Sequence, residues 1–87
     1  MNAKKELYQL MNDYIDLELD YITFDEDTKK KAKKQFSEDL KKGNYQPYIE
    51  WADEEIRFLS NIGNEYLSQK NMALKIKEYL QILSRVQ

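Results

Sequence analysis

The chain has 87 residues, 41% of them apolar and 34% charged, which suits one domain, residues 1–87, built around one small core. It contains neither cysteine nor histidine, which excludes disulfides, thiolate zinc sites and Ser-His or Cys-His nucleophile systems. A formal net charge of -2 gives no global attraction to nucleic acid, although the charges are strongly segregated along the chain.

Leu7, Leu10, Tyr14, Leu17 and Tyr21 recur at the alternating three and four spacing of a helix seam, widened by Met11, Ile15 and Ile22. The spacing predicts a helix from about Ala3 to Tyr21. Its N-terminal stretch MNAKKELYQLMNDY has no apolar run of signal-peptide type, and charges interrupt every later hydrophobic stretch, so the expectation is a cytoplasmic protein.

Next comes DEDTKKKAKKQF, Asp25 to Phe36, three carboxylates set ahead of five lysines. Thr23 and Glu26 have capping-box spacing and predict a second helix whose first positions are Phe24, Asp25 and Glu26. Acids there complement the positive end of the helix dipole, as Lys41 and Lys42 complement the other end. Gly43 and Asn44 suit a left-handed stop after Lys42. The apolar face of this helix is thin: Ala32, Phe36 and Leu40.

Pro47 fits the first turn of a third helix, whose seam is Ile49, Ala52, Ile56, Leu59, Gly63 and Tyr66, with Trp51, Phe58 and Ile62 beside it. The seam runs on through Gly63, so one continuous helix to about Leu67 is expected. Tyr45 and Tyr48 flank the proline, and packing is the favoured reading for both. Ser68 or Asn71 can then cap a fourth helix with the stripe Met72, Ile76, Tyr79, Leu83 and Val86, broadened by Ala73 and Leu80. Short connections favour an all-α, antiparallel up-down four-helix bundle.

From Glu6 to Asp27 there are eight acids and no base, whereas Lys29 to Lys42 hold seven lysines against Glu38 and Asp39. The first two helices should therefore attract one another as a hairpin. Asp16, Glu18, Asp20 and Asp27 echo the ligand spacing of an EF-hand, but Tyr21 stands where that loop needs glycine and the helix seam runs through the segment. No metal and no cofactor are expected. The lysine run offers phosphate contacts without interleaved aromatics or a groove-reading motif, so nucleic acid is not an expected partner.

The fourth helix is the expected working surface. Lys70, Lys75, Lys77 and Arg85 outnumber Glu78, and Leu74 and Ile82 lie off the seam. Such a helix suits docking into a partner groove or onto an anionic membrane face; a terminal helix burying a broad stripe would read the same.

The string DLKKGNYQPYIEWADEEI, Asp39 to Ile56, resembles the enterocin A immunity group, proteins that protect lactic acid bacteria and their relatives from their own pediocin-like bacteriocins. The likeness lies in Leu40, the lysine-rich helix end, Gly43, Tyr45, Pro47 and the apolar third helix, and continues in YLSQK, Tyr66 to Lys70. The resemblance implies a non-catalytic, cytosolic four-helix bundle in a Gram-positive bacterium. It further implies action from the inner membrane face on the sugar-phosphotransferase permease that serves as bacteriocin receptor, with peripheral membrane contact; a monomer is expected. Specificity in the group is associated with the C-terminal half, which designates Lys75, Lys77, Tyr79 and Arg85 as partner contacts. The alternative is a small phage-encoded or regulatory interaction module that occludes a host partner.

Overall fold

The computed structural model describes residues 3–21 and 25–86, apart from the side chains of residues 18–21, 64 and 86. Among them are four α-helices and no strand: α1 (Ala3–Tyr21), α2 (Glu26–Lys42), α3 (Gln46–Asn61) and α4 (Leu67–Val86), the last preceded by a 3-10 turn at Asn64–Tyr66. The all-α, four-helix class predicted from residue spacing is the class observed. The chain forms two compact units, residues 1–44 and 45–87, each a pair of packed helices.

In the first unit α1 packs along α2. Leu7, Met11 and Tyr14 are buried on α1, Phe36 and Leu40 on α2, while Leu10, Ile15 and Leu17 are half-buried. The seam thus turns slightly toward Met11. Asp16 Oδ1 accepts from Lys33 Nζ at 2.7 Å, and Tyr8 and Lys41 line one groove, so residue numbers run in opposite directions along the two helices. The expected attraction between acidic α1 and basic α2 is realised in that ion pair.

The start of α2 differs from expectation. The helix is capped by Asp25, whose backbone is extended (φ -77°, ψ 171°) and whose Oδ1 accepts from the backbone N–H of Thr28 at 2.9 Å and from its hydroxyl at 2.7 Å. Asp25 is therefore the cap and not a first-turn residue; Thr23 and Phe24 lie outside the described residues. These two bonds hold the Asp25 carboxyl below its ordinary pKa, the side-chain bond from Thr28 contributing most.

At the far end Gly43 takes the left-handed conformation (φ 76°). Its N–H donates to Leu40 O at 3.2 Å and that of Asn44 to Asp39 O at 2.9 Å, the paired bonds of a Schellman stop. Asp39 is itself buried and accepts from Gln35 Nε2 at 3.2 Å and Asn44 Nδ2 at 3.5 Å. Lys29 departs from the reading of the lysine run as solvated surface. Its side chain is buried along the stem, with Nζ 3.7 Å from Glu26 Oε1.

In the second unit α3 packs along α4. Tyr45 precedes α3 and is buried, as packing favoured, and Pro47 sits in the first turn where a missing N–H leaves no bond unmade. Ala52 and Leu59 are buried on α3; Ala73, Ile76 and Leu80 on α4. The expected continuity through Gly63 does not hold. The third helix ends at Asn61, Gly63 adopts φ 102°, and α4 starts at Leu67, ahead of both expected caps. A positive φ at that value suits only a residue without a β-carbon, so the glycine breaks the helix in spite of the seam.

Candidate functional site

On α4 the buried line is Gln69, Ala73, Ile76 and Leu80, with Met72, Tyr79 and Leu83 half-buried beside it. The stripe expected from the sequence is rotated by about one position. Its opposite face carries Leu74 and Ile82, each 42% exposed, together with Lys75, Glu78 and Arg85, all exposed. Exposed Leu67 begins the same face, since seven residues return a helix to nearly the same angle.

The four residues expected to contact a partner do not form one cluster. Lys75 and Tyr79 are one turn apart and adjacent on the helix surface, Lys75 exposed and Tyr79 half-buried. Arg85 is exposed in the last turn, three residues beyond Ile82. Lys77 lies on the other flank, about 200° around from Lys75, and is half-buried in an ion pair with Asp53 of α3. The exposed face therefore combines Lys75 and Arg85 with Leu74 and Ile82, while Lys77 ties α4 to α3.

Two aromatic or aliphatic groups on α3 and just beyond it add exposed apolar surface in the same unit. Phe58 is 59% exposed, and Ile62, one turn later, is 40% exposed. Their spacing sets both beside the seam; the structure puts them on its outer side.

A second surface lies in the first unit, and the lysine run of α2 forms one side of it. Tyr8 of α1 faces Lys30, Lys33, Lys34 and Lys41 of α2 across an open groove of about 430 Å³, and a neighbouring hollow of about 340 Å³ shares Tyr8, Ser37 and Lys41. Lys4 and Lys5 close that end, because the antiparallel pairing sets the basic start of α1 against the basic end of α2. The lysine run is visible in the sequence, whereas Tyr8, Lys4 and Lys5 belong to another helix and join it only on folding.

Among the described residues no group of three carboxylates is placed to hold a metal ion, and Asp16, first in the EF-hand-like spacing, is engaged by Lys33. No described helix is long and apolar enough to cross a membrane. No protein-family model, curated protein or solved structure matches the chain.

Proposed function

We propose that the chain is a non-catalytic binding protein conferring immunity to a pediocin-like bacteriocin, acting from the cytosolic side on the permease–bacteriocin complex to prevent leakage. The observation that carries this reading is the solvent-facing side of α4, where Leu74 and Ile82 alternate with Lys75 and Arg85. An amphipathic surface of that kind can insert apolar side chains into a partner groove while its cations meet acidic groups at the rim. The resemblance of Asp39–Ile56 to the enterocin A immunity group supplies the biological setting, and Gly43, Tyr45 and Pro47, which carry it, each have a defined backbone or packing role.

Expression of the chain in a bacteriocin-sensitive strain should restore growth against one pediocin-like bacteriocin. Lys75→Glu combined with Arg85→Glu should abolish that protection while leaving helicity and melting temperature near those of the parent. Protection that is absent across a broad panel, or unchanged by the double substitution, contradicts the reading. A second reading, a soluble interaction module that occludes a host protein, draws on exposed Phe58 and Ile62. It predicts that Phe58→Ser, and not the α4 charge reversals, removes binding.

A further inference from the structure

The groove between α1 and α2 is distinct in position and chemistry from the α4 face, and it concentrates positive charge in a chain whose net charge is negative. Six lysines line the two adjoining hollows, against Glu38 alone among the lining acids. Lys33 is partly neutralised by Asp16, whereas Lys4, Lys30, Lys34 and Lys41 are exposed. Lys30 to Lys41 spans eleven helical steps, about 17 Å along α2. The ligand that fits is accordingly an elongated polyanion and not a single phosphate.

Three features select among polyanions. Apart from buried Leu40 no aliphatic side chain lines the two hollows, whereas a bilayer is gripped by apolar side chains that insert into it. Tyr8, 36% exposed, belongs to both hollows and offers a ring to the groove. Ser37 adds a hydroxyl that both donates and accepts. Cations along a trough with an aromatic ring among them are the pattern by which proteins hold unpaired nucleotides: lysines follow the phosphates and the ring stacks on a base. An acidic peptide would use the lysines and leave the ring without a role.

We propose that the α1–α2 groove binds a short stretch of single-stranded nucleic acid, with Tyr8 stacking on one base and Lys30, Lys34 and Lys41 contacting the phosphates. This is independent of the immunity reading, and either can fail without the other. The expectation that nucleic acid is no partner rests on the lack of a groove-reading motif and of aromatics within the lysine run; an unpaired strand needs no groove reader, and folding brings an aromatic in from α1.

The test is fluorescence polarisation of the whole chain with a labelled oligothymidylate and an oligouridylate, over a range of salt. Binding should weaken linearly on a log–log plot, and replacing Lys30, Lys34 and Lys41 together by Gln should reduce the slope by about two, at about 0.7 for each phosphate no longer neutralised. Tyr8→Leu should weaken binding at least about fivefold with the slope unchanged, and Tyr8→Phe should retain it. Circular dichroism of each variant verifies that it is folded. Absence of oligonucleotide binding at low salt overturns the proposal, as does binding that ignores Tyr8. Equal or tighter binding of polyglutamate or of phosphatidylglycerol vesicles, insensitive to Tyr8→Leu, also overturns it and assigns the groove to an acidic peptide or a lipid surface.

Discussion

Ile76 and Leu74 stand two residues apart on α4 and face opposite ways, so truncating each to alanine separates packing from surface. Ile76 is 0% exposed, and removing its outer carbons leaves a cavity among buried neighbours, a loss of about 2–5 kcal/mol. At roughly 0.05–0.15 kcal/mol per residue the whole chain is stable by only about 4–13 kcal/mol, so this one change removes a large share. Leu74 keeps 42% of its surface in water, and alanine is the better helix former, which limits its loss to about 1 kcal/mol. Thermal unfolding followed by far-UV circular dichroism should show a drop of at least about 8 °C for Ile76→Ala and about 4–8 °C for Leu74→Ala. If Leu74→Ala is as damaging as Ile76→Ala, the assignment of an inner and an outer face to α4 is wrong, and the docking surface with it.

Gly63→Ala should destabilise the chain by about 1–2 kcal/mol in urea titration, because its φ of 102° disfavours any β-carbon although nothing lies within 4 Å of where one would stand. Gly63→Asn should lose less; a stabilising Gly63→Ala would mean that the helix runs through this point. Asp25 has an acid-sensitive role. Its folded pKa lies below its ordinary value of 3.8, so its capping contribution is present above that value and lost as pH falls through the folded one. The melting-temperature gap between the parent and Asp25→Ala should thus be constant at neutral pH and close in strong acid, and a gap that widens in acid contradicts the cap. Asn12 Oδ1 is buried and accepts no hydrogen bond, so Asn12→Leu should raise stability by about 1 kcal/mol in the same urea titration.

Much of the helical framework is legible in the sequence because its signals are local. The seam from Leu7 through Leu17 locates α1, and Gly43 marks the end of α2 because a left-handed stop calls for glycine. Gly63 misleads for the opposite reason. Gly63 itself and Tyr66 continue the seam in sequence, and periodicity does not tell a helix that continues from two helices in phase. The α4 stripe is displaced because apolar residues occur on nearly every side of that helix, leaving little contrast to fix its angle. Buried Gln69 and Lys29 are beyond reach, since their burial depends on neighbours brought by folding. Of the four expected contact residues, Lys75 and Arg85 lie on the open face, but the ion pair that draws Lys77 toward Asp53 joins two helices and leaves no trace in either alone.

The partner itself offers the most direct measurement. Tagged chain expressed in a sensitive strain, cross-linked in cells and recovered from detergent extracts, should bring down the sugar-phosphotransferase permease only when a pediocin-like bacteriocin has been added, and Lys75→Glu with Arg85→Glu should remove that capture. Recovery of one soluble protein in equal amount with and without bacteriocin, and no permease in either case, would contradict the account.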